Sequence, residues 1–227
     1  MKKILLTCTD LMAAQFFNEH IRLWHEKGYC VDLVCSPVGG RVNDLGEFFS
    51  DIKNGSIRTV ALSRSPFKIS NLKGFLQLRK IARKEHYDIV VTNEPIMGCL
   101  TRLAFADKKE TKVIYIAHGF HFYKGAPKLN WLVFYPVEKF CSRFTDKLIT
   151  INGEDYALAK ENFSAGEIHH VPSVGINLSK YKNIDQAGIT VEGESSITLV
   201  MNASDTKQRT FFFIPGASDV FDESYVD

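Results

Sequence analysis

The stretch Ala117-His118-Gly119-Phe120-His121-Phe122-Tyr123-Lys124-Gly125 holds more potential chemistry than any other part of the chain. His118 follows directly on the apolar run Val113–Ala117. An imidazole placed there can project into a crevice and donate to a sugar hydroxyl or a diphosphate oxygen. The competing reading is a histidine bonded to a carbonyl at a strand end, and the loop position favours the ligand role. Gly119 has no Cβ, so a ligand can approach its backbone closely. His121 is less constrained, and both readings stay open for it. Lys124 can meet a phosphate, or simply be an exposed loop lysine. Glu94 heads a second loop, where a carboxylate can act as base or bind a hydroxyl; the alternative is a helix-start carboxylate favoured by the dipole. Asp10 and Asn152 stand in two further crevice loops and are candidates for the substrate side, although Asn152 equally suits a helix N-cap. In Ser36–Arg41, the pair Gly39-Gly40 with Arg41 is a phosphate-approach candidate or an ordinary turn.

Several chemistries lack their signatures. The first loop, Cys8–Leu11, holds no GxGxxG, as a dehydrogenase would need, and no GxxxxGK[ST] occurs anywhere. There is no GxSxG elbow, no HExxH and no Cys/His set at zinc spacing, so no cofactor and no metal is expected.

The elements that must position these residues alternate in period. Lys3–Thr7, Val31–Cys35, Ile57–Leu62, Asp88–Thr92, Lys112–Ala117, Lys147–Asn152 and Ile168–Val174 are short apolar runs, mostly β-branched. Continuous apolar runs mark strands buried on both faces, as in a parallel sheet. Helical period occupies Met12–Lys27, Leu72–His86, Pro95–Ala106, Leu129–Arg143 and Gly153–Phe163. In the first of these, Phe16, Phe17, Ile21, Leu23 and Trp24 form one apolar face; in the second, Leu72, Phe75, Leu76, Leu78, Ile81 and Ala82 do. Strand and helix in alternation predict an α/β, doubly wound, mainly parallel Rossmann-like sheet over residues 1–182. Ligands of such sheets sit beyond the carboxyl ends of the strands, where the loops above lie. From 183 to 227 the pattern changes: Ile197–Ala203 and Arg209–Ile214 read as a β-hairpin tail, closed by Pro215-Gly216.

With 28 Lys+Arg against 26 Asp+Glu, the chain has no global field for nucleic acid. Its 227 residues fit one large domain, or a domain and a fragment, but not two complete doubly wound domains. The five cysteines are odd in number and lack a CxxC pair, which predicts reduced, packed thiols in a cytoplasmic chain. Residues 127–140 are apolar nearly all round, with Lys124, Lys128, Lys139 and Arg143 at the margins. This segment is either a surface resting on a membrane, admitting a lipid-linked acceptor, or a core helix kinked at Pro136.

From Tyr115 through Pro127, with Asn130-Trp131, Tyr135-Pro136-Val137-Glu138-Lys139, Thr145-Asp146 and Ile149 through Asp155, the chain resembles family 4 glycosyltransferases of the capsular polysaccharide type. Val171 through Asn177 is similar to the segment leading into their second domain. The resemblance covers about residues 2–182. It implies the acceptor-side half of a GT-B enzyme that moves a sugar from a nucleotide-sugar donor, without metal, to an acceptor that is often polyprenyl-linked. By that resemblance His118 matches the histidine contacting the donor sugar. Asn93-Glu94-Pro95 departs from the family's usual His-Thr-Pro. The resemblance also implies that the donor-binding domain is missing from these residues and is needed in trans, which leaves the chain inactive alone. Within residues 183–227, Asn183–Ile189, Ser196–Val200 and Arg209–Ser218 resemble an internal piece of ribokinase-like sugar kinases, without their catalytic aspartate. A non-catalytic module binding a lipid-linked glycan is the alternative function, and sugar phosphorylation a third that rests on the tail alone.

Overall fold

A computed structural model describes residues 1–14, 17–37, 55–171, 196–202 and 209–215. The Gly39-Gly40-Arg41 turn, Phe16, the lead-in segment 172–177 and the composition change near 183 lie outside the described residues.

The seven apolar runs all become strands of one parallel sheet. They are β1 (Lys3–Asp10), β2 (Cys30–Ser36), β3 (Ile57–Thr59), β4 (Ile89–Asn93), β5 (Lys112–Ala117), β6 (Lys147–Thr150) and β7 (Glu167–His170). Their order is β3-β2-β1-β4-β5-β6-β7, with every neighbouring pair parallel. The chain winds from β1 out to β3, then crosses back to β4 and winds the other way. The point where winding reverses, between β1 and β4, is where open α/β sheets leave a crevice.

Alternation along β1 divides the core between the two faces of the sheet. Ile4, Leu6 and Cys8 pack with Val31, Leu33, Phe17 and Ile21 on one face. Leu5 packs on the other with Val34, Val90, Leu78 and Met97. Both faces are covered by helices, which is why the strands read as unbroken apolar runs. The helices are α1 (Leu11–Ala14), α2 (Asn18–Glu26), α3 (Ser70–Lys84), α4 (Pro95–Ala104), α5 (Lys128–Cys141) and α6 (Gly153–Asn162). Further along, Tyr115, Ala117, Phe122 and Leu148 pack against Trp131, Phe134 and Tyr135 of α5 and Leu158 of α6.

Three expectations change in detail. Of the helix expected over 12–27, the described parts are Leu11–Ala14 and Asn18–Glu26. Leu23, Leu72 and Leu76, read as core-facing, are exposed. The run 57–62 is a strand only to Thr59, although Val60 and Leu62 remain buried. Residues 128–141 form one helix with a packed side and an exposed apolar side. Trp131, Phe134 and Tyr135 turn inward, whereas Leu129, Leu132, Val137 and Phe140 face solvent. The helix runs through Pro136. Pro136 is exposed, so the carbonyl it leaves unpaired one turn earlier can reach water.

In the tail, β8 (Ser196–Asn202) and β9 (Arg209–Pro215) pair antiparallel, with Ser196 opposite Pro215 and Asn202 opposite Arg209. No helix among the described residues is long and apolar enough to cross a membrane.

Candidate functional site at the reversal of winding

A hydrogen bond to a carboxylate helps tie the carboxyl ends of β1 and β4. The Thr9 backbone N–H donates to Glu94 Oε2 at 2.7 Å. Glu94 directly follows β4 and precedes Pro95, the first residue of α4. It occupies the N-cap position, yet its side chain makes no bond to its own helix. The carboxylate instead reaches across to β1, with the backbone held at φ 64, ψ 152, a region that glycine alone adopts easily. Burial raises the Glu94 pKa against the pull of the Thr9 donors, which favour the ionised form.

Glu94 forms part of the wall of a cavity of about 260 Å³, lined also by Thr9, Arg64, Pro66, Ile96, His121 and Phe134. That is below the usual range of roughly 300–1,000 Å³ for pockets that enclose a whole drug-sized ligand. It suits one sugar residue better than an entire nucleotide sugar. Carboxylate, guanidinium, imidazole and an aromatic ring around one small space can bind hydroxyls while the ring covers an apolar sugar face. His121 is exposed, and its ring lies 4.7 Å from that of Phe134.

Asp10 reaches this site through a partner. Its Oδ1 accepts from the Ala13 N–H at 3.0 Å, and its Oδ2 pairs with Arg64 at 2.5 Å. The buried carboxylate thus orients an otherwise exposed arginine at the rim.

His118 lies outside the cavity lining, at the end of β5. Its Nε2 stands 3.2 Å from Asn93 Oδ1. The Asn93 amide nitrogen is turned to the Thr7 carbonyl at 3.3 Å, so Oδ1 is the acceptor and Nε2 of His118 carries the proton. Nδ1 is then left as an acceptor. The residue is open to solvent, and its ring makes an edge-on contact with that of Phe17, centroids 6.3 Å apart. Partial desolvation by its neighbours lowers the imidazole pKa and favours the neutral ring near pH 7. Gly119 follows at φ 128, where a side chain would be strained, and the space a Cβ would enter is open.

The His118 loop is held from outside by the start of α6. Phe120 N–H donates to Asp155 Oδ2 at 2.9 Å, and Lys124 N–H to Glu154 Oε1 at 2.6 Å. From the other side, Asn130 Nδ2 donates to the His121 carbonyl at 2.9 Å, and the Trp131 indole to that of Tyr123 at 3.3 Å. Asn152 takes the N-cap reading: its Oδ1 accepts from Asp155 N–H at 2.7 Å, while its Nδ2 donates to Asp155 Oδ2 at 2.9 Å. Its amide therefore serves the clamp. Lys124 is exposed at the loop's far end.

Of the residues singled out from sequence, the structure brings Glu94 and His121 to one cavity and Asp10 to its edge. His118 bonds to Asn93, the neighbour of Glu94, with Gly119 next to it in the chain, and Asn152 orients the Asp155 that holds their loop. Arg64, Thr9, Phe134 and Asn93 escaped the sequence reading. Thr9 and Asn93 fall at strand ends and were findable there; Arg64 sits in an aperiodic segment and gave no signal. Among the described residues, no group of three or more His, Cys, Asp or Glu is arranged to hold a metal ion.

Residues 4–152 match a family model described as glycosyl transferase 4-like. EpsD of Bacillus subtilis (strain 168), itself assigned as a glycosyltransferase, is 45% identical over 129 residues, covering 56% of this chain and 34% of that protein. The UDP-Gal:alpha-D-GlcNAc-diphosphoundecaprenol alpha-1,3-galactosyltransferase of Escherichia coli is 26% identical over 168 residues, 72% of this chain and 41% of that one. The chain thus spans well under half the length of the curated relatives it matches. Among solved structures, the S. aureus MnaA–UDP co-structure superposes with TM-score 0.58 at 14% identity, covering 82% of this chain and 49% of that chain. Phytolacca americana apo UGT2 gives 0.52 at 9% identity, covering 80% and 54%. At such identities these likenesses speak to fold alone.

Proposed function

Since the chain belongs to the glycosyl transferase 4-like family, we propose that its parallel-sheet domain is the acceptor-binding half of a polysaccharide-building glycosyltransferase. The observation that carries this reading is the cavity at the reversal of winding, where Glu94 is pinned by Thr9 beside Arg64, His121 and Phe134. Its size and lining fit the terminal sugar of an acceptor. Neutral His118, with Nδ1 free to accept, stands next to that space, on the side where a donor sugar would meet it.

A lipid-linked acceptor is supported by the exposed apolar side chains around the cavity. Phe67 adjoins Pro66 of the lining, and Leu132 belongs to the same helix as Phe134; both are exposed, as are Leu129, Val137 and Phe140. Lys128, Lys139 and Arg143, also exposed, suit anionic headgroups. On this reading the protein works peripherally at the inner membrane face. Transfer itself requires cationic groups that stabilise the departing nucleotide diphosphate. These are the business of a donor-binding domain, so the parallel-sheet domain by itself should not turn over any nucleotide sugar.

Flotation with anionic vesicles, plain or doped with a polyprenyl-diphosphate sugar, tests the reading. Doping should raise the bound fraction several-fold, and Glu94→Ala should remove the increment. Changing Leu129, Leu132, Val137 and Phe140 to serine should reduce flotation on both vesicle types. Binding indifferent to the doped sugar would count against an acceptor site, and robust turnover by the parallel-sheet domain alone would sink the acceptor-half reading.

A further inference from the structure

The Sγ atoms of Cys99 in α4 and Cys141 at the end of α5 lie 3.3 Å apart, with the Cys141 thiol donating to Cys99. A disulfide places its sulfurs at ~2.05 Å, so little more than an ångström of closure separates the pair from a bond. The two residues differ in access: Cys141 is fully buried, whereas Cys99 is partly exposed. They differ in chemistry as well. The Cys141 S–H bond and the nearby Arg102 guanidinium favour a thiolate at Cys99 and bring its pKa down, while donation of that same bond, with burial, keeps the Cys141 thiol protonated. The other cysteines lack this arrangement. Burial pushes Cys8 up and Cys35 up to about 12, and Cys30 is also raised.

We propose that Cys99 and Cys141 form an oxidation site for hydroperoxides, with Cys99 the attacking and Cys141 the resolving thiol. The Cys99 thiolate attacks one oxygen of the peroxide, the O–O bond breaks, and the departing oxygen takes up a proton to leave as water or an alcohol. This step produces a sulfenic acid on Cys99. Cys141 Sγ then attacks the Cys99 sulfur, the hydroxyl leaves with the Cys141 proton as water, and the S–S bond closes. With hydrogen peroxide, two thiols give up two electrons and two protons in total, and the peroxide becomes two waters. A dithiol reverses the change by exchange.

The bond would tie two walls of the cavity together. Cys99 lies one turn beyond Pro95 and Ile96 on α4, and Cys141 two turns beyond Phe134 on α5; all three of those residues line the cavity. Oxidation therefore fixes the spacing of elements that reduction leaves held by packing and the Arg102–Glu138 ion pair at 2.7 Å. The proposal stands apart from glycosyl transfer, since the thiols and the oxidant are its whole chemistry.

The test treats the reduced, desalted full chain with stoichiometric hydrogen peroxide, then alkylates it and maps its peptides. The expected product is an intramolecular Cys99–Cys141 bridge, with a mass lower by two hydrogens and complete recovery on adding dithiothreitol. Cys141→Ser should leave a sulfenic acid on Cys99 that dimedone captures, and Cys99→Ser should slow oxidation of Cys141 at least tenfold. A first bridge between any other pair would overturn the proposal. So would a bridge between two chains, or oxidation of Cys30 ahead of Cys99. Mapping of the unsubstituted chain decides the matter even where a variant fails to fold.

Discussion

Glu94 combines a strained backbone with a carboxylate that serves a distant strand. Held at φ 64, ψ 152, it bears a conformational cost of about 1–3 kcal/mol. Replacing it by alanine leaves the strain and removes the acceptor for Thr9 N–H; replacing it by glycine also removes the acceptor but relieves the strain. Glu94→Gly should therefore be more stable than Glu94→Ala by about 1–2 kcal/mol, read from urea midpoints. Equal midpoints would mean that the backbone relaxes freely there. His118 makes a second residue-scale prediction. Its lowered pKa favours the neutral ring in the fold, so its contribution to stability is full above about pH 6.5 and fades as pH falls through the folded value. NMR should find the neutral imidazole in the majority at pH 6.5 with its proton on Nε2, and Asn93→Ala should mix the tautomers. What sequence showed at this scale was uneven. His118 and Glu94 stood out because they follow apolar runs whose carboxyl ends must face a crevice. The backbone of Glu94 and the Arg64–Asp10 pair did not, because a residue's φ and its contacts 54 positions away leave no mark on local period.

Between the helices, Arg102 and Glu138 form a buried ion pair at 2.7 Å, each at most 5% exposed in its side chain. Arg102 also lies over the Tyr115 ring at 3.9 Å, donates to the Gly98 carbonyl at 2.9 Å, and shares Glu138 with the Tyr115 hydroxyl at 3.1 Å. The Glu138 of the Tyr135–Lys139 motif is thus the pin joining α4, α5 and β5. Glu138→Ala would strand a buried guanidinium, at a cost of about 3–5 kcal/mol by chemical denaturation; a loss under 1 kcal/mol would show that water reaches the pair. The strands were readable from sequence because burial on both faces demands unbroken apolar runs. The helices were readable in place but less so in facing. Leu72 and Leu76 sit on an apolar stripe of proper period, yet no sequence period tells whether that stripe meets the sheet or solvent.

Across the whole molecule, charge is gathered at the starting ends of the strands. Lys3 Nζ pairs with Asp32 at 2.8 Å and with Glu85 at 2.6 Å, Arg58 joins Glu85, and the Tyr87 hydroxyl donates to Asp32 at 2.7 Å. Bonding to Arg58, opposed in part by desolvation, holds Glu85 down at about 2 from an ordinary 4.5. A depressed carboxylate pKa stabilises the fold fully above the ordinary value, and the contribution drains away as pH falls from about 4.5 towards about 2. Stability measured across that window should decline less steeply in Glu85→Gln than in the parent; an unchanged slope would place the acid sensitivity elsewhere.

That network and the cavity occupy opposite ends of the same strands. The five residues of β4 span roughly 16 Å at 3.3 Å each, about twice the screening length of ~8 Å at physiological salt. Substitutions at the two ends should therefore add with little coupling. If the cavity is the proposed acceptor site, the sugar it takes can then drift by changes around Glu94, Arg64 and Phe134 without renegotiating the fold. Conversely, the domain can be hardened against acid or heat at Lys3, Asp32 and Glu85 with its selectivity untouched. Parallel strands, by sending every starting end one way and every finishing end the other, make durability and recognition separately heritable.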